Sequence, residues 1–508
     1  MSPAFASALP RAQRTPALVA ALLISFVILD MVLLFADAGE VALILLPVEL
    51  GAICTTVVPL RSAVLGLVFL AIATESPGDA GGLWKSPFHL LGTLLHANLN
   101  QTVPIPALRI TGIDVLVLVL FAIGAVRRAR KNPLELEERV GAPAPLRRAA
   151  LLSLLTVAVI ALLGLATGGV LEQIYWQTHQ FVMVPVLFFL FIATLRGPAD
   201  HRAIGRTYLA AACVKACLAI YVGLTVFLPD GRHLATTTSH GDSILFVCAS
   251  ALLIARLVER PDRRSVLINL LLLPLFFFAM QQNGRRLAWV ELAGVLLCFF
   301  MLSPWRPLKR AVARAVVVSI PLIAVYLVAG WNSGSRIFAP VETVRSIVVS
   351  KTDRSTLERD VENFNLLWTV RAHPLLGIGY GHGYIEKVRG DDISKVFPQY
   401  RYIPHNSLLG VWAFTGLVGF TALWMVIALG VFFAVRGYRH AHEWRDRAAG
   451  LAVVAVVVVY LVQCYGDMGF VSWTGAFTLS LALCVAGKLA VSAGAWPAAL
   501  PRAVEASA

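Results

Sequence analysis

Runs of apolar residues long enough to cross a bilayer recur along this chain, and they constrain its fold more than any other feature. A membrane-spanning helix needs about 20 such residues, and only helices or closed barrels satisfy their backbone polar groups inside lipid. Of the 508 residues, 58% are hydrophobic and 14% charged, an apolar share above that of soluble domains. The reading is an all-α, polytopic helical membrane protein with about 12–14 transmembrane helices. Expected spans are 17–36, 41–60, 62–74, 107–126, 149–170, 180–195, 207–228, 242–257, 265–281, 287–303, 311–330, 406–435, 449–465 and 473–489. A short interfacial helix is expected at 87–96, within an outer loop over 75–106. The organisation expected is an N-terminal helical part (1–330), one large periplasmic loop domain (331–405) and C-terminal helices (406–508).

A net charge of +14 would suggest nucleic acid in a soluble protein. Here nearly two thirds of the 43 lysines and arginines fall in alternate short turns, such as Arg127-Arg128-Ala129-Arg130-Lys131 and Arg260 to Arg264. That is the positive-inside pattern. It predicts N-in and C-in orientation and excludes nucleic acid as a partner; the bilayer is the partner the composition demands. Arg11 and Arg14 precede a first apolar run without a convincing cleavage site, so a first transmembrane helix is expected there. The cysteines lie in apolar spans without metal-ligand neighbours and read as small core residues.

Within 331–405, Ser355-Thr356-Leu357-Glu358 is a capping box that starts a helix. Leu357, Val361, Phe364 and Trp368 recur at helical spacing as an apolar stripe, and Pro374 stops the helix. It is read equally as a lid over the membrane mouth or as a helix packed on the bundle. The run Gly377-Ile378-Gly379-Tyr380-Gly381-His382-Gly383 has no preceding strand, so it is no dinucleotide fingerprint. It reads as a flexible turn whose backbone amides approach a ligand or the membrane mouth, with His382 solvated.

Arg401-Tyr402-Ile403-Pro404-His405-Asn406-Ser407-Leu408-Leu409 ends this polar segment and opens a long apolar run. It places an imidazole where water meets membrane, and imidazole is the usual general base near neutral pH. Asn406 suits the helix N-cap. Arg285 and Arg286 stand between two apolar spans on the outer side, against the charge bias; such arginines suit phosphate oxygens. Lys215, in mid-span, must be paired or functional. Arg401, Asn406, Arg359 and Arg354 are further candidates for acceptor or sugar contacts, the arginines also for phosphate.

The order HPLLGIGYG (373–381), then HNSLL (405–409), then Gly416 and Gly419, resembles the O-antigen ligase and O-antigen polymerase family of bacterial membrane glycosyltransferases. The resemblance is sharp over 354–420 and near Arg286. It implies His405 as the catalytic base and Arg286 as the residue holding lipid pyrophosphate, with Arg285 and Lys215 as further basic candidates; which of the adjacent arginines touches phosphate stays open. It further implies an undecaprenyl-pyrophosphate-linked glycan donor, handled at the periplasmic face of the inner membrane. The acceptor would be lipid A–core for a ligase or a second lipid-linked glycan for a polymerase, with inversion at the anomeric carbon. Ligase-like is the reading preferred, repeat-unit polymerase the alternative. No Asp-x-Asp, His-x-x-x-His or Cys-x-x-Cys is present, so no cofactor or metal is expected and arginines would neutralise the leaving group. A flippase or proton-coupled transporter is the alternative from another class, because Asp30, Glu49, Asp114 and Glu291 lie in or near spans; no internal repeat supports it.

Overall fold

The computed structural model describes residues 58–75, 110–129, 139–224, 238–333 and 354–497, apart from single positions within them, and isolated positions between these ranges. The spans expected at 17–36 and 41–60, the 75–106 loop with its interfacial helix, and most of 229–241 and 339–353 lie outside the described residues.

Thirteen α-helices are described. They are α1 (Leu60–Thr74), α2 (Gly112–Ala129), α3 (Ala144–Ala166), α4 (Leu171–Thr194), α5 (His201–Val222), α6 (Asp242–Glu259), α7 (Arg263–Asn283), α8 (Leu287–Leu302), α9 (Pro307–Gly330), α10 (Arg354–Ala372), α11 (Ser407–His440), α12 (Trp444–Gly466) and α13 (Trp473–Ser492). Among the described residues eight helices are long and apolar enough to cross a membrane, and α1 and α8 are shorter apolar helices. The chain is thus a multi-pass helical membrane protein. Helix α4 begins well before the expected 180 because Gln173, Gln177 and Thr178 form its first turns and face protein rather than lipid.

Helix α13 is the centre of the bundle, buried along nearly its whole length. It packs on α4, α11 and α12, while α6 packs on α7 and α12. Its N-terminus is closed by Glu75, whose carboxylate accepts from the Trp473 and Thr474 amides at 2.9 Å each. A carboxylate there satisfies two orphan N–H groups and complements the helix dipole.

Helix α11 is not one rod. Gly416 breaks it with φ 62° and ψ −173°, a left-handed φ that costs glycine little. The break frees carbonyls before it and amides after it, which could not remain unpaired at this depth. The HPLLGIG segment satisfies them. Ile378 and Gly379 donate to the carbonyls of Ala413 and Phe414 (3.1 and 2.9 Å), and Leu417 and Val418 donate to those of Pro374 and Leu375 (2.9 and 3.1 Å). Contact is so close that a Cβ on Gly416 would lie 2.2 Å from the Leu375 carbonyl carbon, and one on Gly377 2.3 Å from that of Phe414.

The glycine run is therefore a strap seated in protein, not a loose turn. Gly381 donates to Gln177 Oε1 at 2.6 Å and accepts from the Val170 amide at 3.0 Å. His382, expected in solvent, meets Thr167 Oγ1 at 3.0 Å. Amides expected to approach a ligand are spent on the bundle, because the broken helix needs them more.

Helix α10 packs on α11 through Leu366 and Val370, which join Tyr380, Tyr384, Val411 and Phe414 in one buried cluster. The stripe read from the sequence faces the other way: Leu357, Phe364 and Trp368 are exposed, as are nearby Leu375 and Leu376. On the packed face, Asn365 accepts from the Lys387 and Val388 amides at 2.9 Å each.

Candidate active site

His405 ends the polar segment one residue before the N-cap of α11. Asn406 is that cap: its Oδ1 accepts from the Leu409 amide at 3.1 Å, and its Nδ2 donates to Asn363 at 3.0 Å. The next residue back is gripped by a single carboxylate. Glu362, on α10, accepts from the His405 amide through Oε1 at 2.6 Å and meets Nδ1 through Oε2 at 2.8 Å. Both oxygens are used, so ring and backbone are fixed together. With Nδ1–H donating to the carboxylate, Nε2 carries the lone pair and is the nitrogen able to accept a proton.

Burial of His405 disfavours the imidazolium, but the Glu362 hydrogen bond and charge, with a smaller contribution from Asp467, outweigh it and raise the pKa above 6.5; Arg359 opposes them. The neighbouring carboxylate thus makes the imidazole a stronger base.

Around it lies a small cavity of about 70 Å³ lined by Arg359, Glu362, Tyr384, Tyr400 and His405, among others. Arg285 is half-buried, with its guanidinium 3.6 Å from Asp467. Burial lowers its pKa, Asp467 raises it and the charge of Arg359 lowers it, so Arg285 and Arg359 share one electrostatic neighbourhood with His405. Three chain-distant elements meet here: the α7–α8 turn, the end of α12 and α10.

The other sequence-selected residues are placed differently. Arg286 is the N-cap of α8 and exposed, whereas Arg285 is half-buried beside Asp467 and feels the charge of Arg359. Both follow a turn through left-handed Gly284 (φ 68°), Arg285 partly buried and Arg286 exposed. Lys215 is 1% exposed and ion-paired with Asp242 at 3.1 Å, and also donates to the Glu75 carbonyl. That spends it on tying α5 to α6 and the end of α1 and removes it from the proposed phosphate set. Arg401 reaches Glu386 at 3.5 Å and its carbonyl accepts from Tyr384, at the edge of the same cavity. Arg354 is the first residue of α10, with its side chain outside the described residues.

Of the membrane acids, Asp114 caps its own helix through Thr111 and meets His179 at 2.9 Å. Glu291 is fully buried in α8. Asp30 lies outside the described residues. Among the described residues no cluster of three His, Cys, Asp or Glu side chains could hold a metal ion.

Sequence reasoning missed Glu362 and Asp467. A signal for Glu362 existed, since Glu358 and Glu362 stand four apart on one face of a capped helix. Asp467 carried only its position in a turn on the arginine side.

Residues 268–424 match the family model described as O-antigen ligase. That stretch runs from α7 through Arg285, α10 and His405 to the first turns beyond the break in α11. Comparison with curated proteins gives no match.

Proposed function

We propose, from the match of residues 268–424 to the O-antigen ligase family model, that the chain moves a glycan from undecaprenyl pyrophosphate to an acceptor hydroxyl at the periplasmic face of the inner membrane. The observation that carries the reading is the Glu362–His405 pair beside Arg285 and Arg359.

The chemistry follows from the placement. His405 Nε2 takes the proton of the acceptor hydroxyl as its oxygen attacks the anomeric carbon. The bond from that carbon to the pyrophosphate oxygen breaks on the opposite side, which inverts the anomeric centre. The imidazolium that forms is stabilised by Glu362. Charge builds on the departing pyrophosphate, and guanidinium groups suit it through paired N–H bonds. Arg285 takes the role given to Arg286 from the sequence, with Arg359 beside it. Donor and product differ by the charge freed on pyrophosphate, so fixed cations favour the transition state over the ground state. The exposed apolar residues of α10 and the strap, Leu357, Phe364, Trp368, Leu375 and Leu376, suit a site whose substrate remains in lipid.

The test is single-turnover transfer and donor binding by purified His405→Ala. General-base loss costs ~100- to 10,000-fold in rate with donor binding retained; wild-type turnover would end the proposal. Ligase-like transfer to lipid A–core is the preferred form. Surface glycan from a deletion strain separates the forms: core lacking its polymer supports a ligase, and core carrying single repeats supports a polymerase.

A further inference from the structure

At the end of the bundle opposite His405, six arginines converge on one cavity. Helix α11 runs from the His405 end, and the chain turns at 441–443 into α12, so Trp444 lies at the far side. There Arg202, Arg206, Arg256, Arg260, Arg264 and Arg445 line a cavity of about 530 Å³ between α5, α6, α7 and α12. Topogenic charge alone places arginines in turns; it does not aim them into a common space.

The charges are not balanced. Asp262 is the acid in the lining, and it is taken by Arg260 at 2.6 Å. Nearby Asp446 pairs with His201 at 2.9 Å, and Glu259 with Arg447 at 2.7 Å. Among the described residues Arg202, Arg206, Arg264 and Arg445 form no ion pair. The guanidiniums of Arg256, Arg260 and Arg445 lie 5.9, 4.9 and 5.4 Å from the Trp444 ring centroid. The ring gathers cations but neutralises none.

The rest of the wall is apolar. Leu209, Leu253, Ile268 and Leu272 line it. A second space of about 80 Å³ shares His201, Gly205, Leu252 and Ala449 with the first and continues along Tyr208, Ala452 and Val456. The combined shape is a cationic mouth opening onto an apolar slot. A free phosphate would use only the mouth.

We infer that this cavity binds an anionic glycerophospholipid, its phosphate among the arginines and the upper part of an acyl chain in the slot. Basic pockets between helices on the cytoplasmic side are suited to such headgroups, and arginine forks fit phosphate oxygens. The site is separate from the transfer centre and would survive the failure of the proposed reaction.

The test uses the full-length, delipidated protein in native mass spectrometry, titrated with dioleoyl phosphatidylglycerol, dioleoyl phosphatidylcholine or inorganic phosphate. Phosphatidylglycerol should bind in preference to phosphatidylcholine. Arg206→Gln with Arg264→Gln, both exposed and free of ion pairs, should weaken it about 30-fold, from about five-fold per arginine. Ala452→Phe, which fills only the slot, should weaken the lipid while leaving phosphate association unchanged. If the glutamine pair lowers the thermal midpoint of lipid-free protein, Arg206→Lys with Arg264→Lys replaces it and should give an intermediate loss. Equal binding of the two lipids, wild-type affinity in the arginine variants, or displacement of the lipid by millimolar phosphate would each overturn the inference.

Discussion

Replacing Glu362 by Gln tests the proposed mechanism most directly, because it keeps the size of the side chain and removes the charge. The His405 amide and ring Nδ1 both point at this carboxylate, at 2.6 and 2.8 Å. Two donors need two acceptors, and Gln offers one oxygen. Its other terminal group is itself a donor, so one of the two bonds is lost. A hydrogen bond to a charged group contributes about 1.5–3 kcal/mol. If the ring bond is the one lost, it is lost where it matters most, in the transition state that turns imidazole into imidazolium. At 1.4 kcal/mol per decade this is ~10- to 100-fold in kcat. The pH profile gives a second reading. His405 must be neutral to act, so activity falls as pH drops through its pKa, which Glu362 holds above 6.5. In Glu362→Gln that acid limb should move to lower pH. The linked stability has the opposite sense: a raised histidine pKa stabilises the fold most below 6.5, and the benefit is lost as pH rises through the folded value. The assay is single-turnover transfer from pH 5 to 9 on purified protein. A wild-type rate with an unmoved acid limb would refute the role given to Glu362.

Arg285→Ala should weaken donor binding and turnover together, and Arg285→Lys should restore only part, since an ammonium keeps charge but not the paired fork; equal damage from Arg286→Ala alone would return the role to the other arginine. Gly377→Ala should lower the thermal midpoint of the purified protein, because it adds a left-handed penalty of about 1–2 kcal/mol and pushes the strap from the break in α11. Transfer should persist in EDTA; loss that magnesium restores would count against arginines as the neutralising groups. A reporter fused after Arg389 should report the periplasm and one after Arg439 the cytoplasm, and a cytoplasmic signal at 389 would overturn the site's location.

The helices were legible because hydropathy is a one-dimensional property. Ten described helices, α3 to α9 and α11 to α13, fall where apolar runs end at arginines or polar turns. Asn406 was legible for the same reason, since capping is local. What the sequence left open were directions. The Leu357, Phe364 and Trp368 stripe was visible, but in a membrane protein an apolar stripe can face lipid as well as protein; the packed face of α10 is Leu366 and Val370 flanked by Asn365 and Thr369. Arg285 and Arg286 could not be separated, because adjacent residues of one type carry the same local signal and only tertiary packing makes Arg285 the more buried of the two. Lys215 looked available only because Asp242, its partner, stands 27 residues away across a loop.

The strap explains why the two glycine-bearing motifs occur together. A membrane helix gains nothing by breaking at Gly416 unless another segment takes over its freed backbone groups, and the Pro374 to Gly379 stretch does so with four hydrogen bonds. Each motif is therefore unsatisfied without the other. The consequence reaches the site. α10, which carries Glu362, leads directly into the strap, and the first turns of α11, which follow His405, end at the break that the strap fills. The two ends of the Glu362–His405 bond are thus fixed to one another through backbone seated in the bundle, and not through the sequence between them alone. A loop alone would leave a 2.8 Å bond to compete with solvent; the broken helix and its strap supply the rigid frame that the general base proposed here needs.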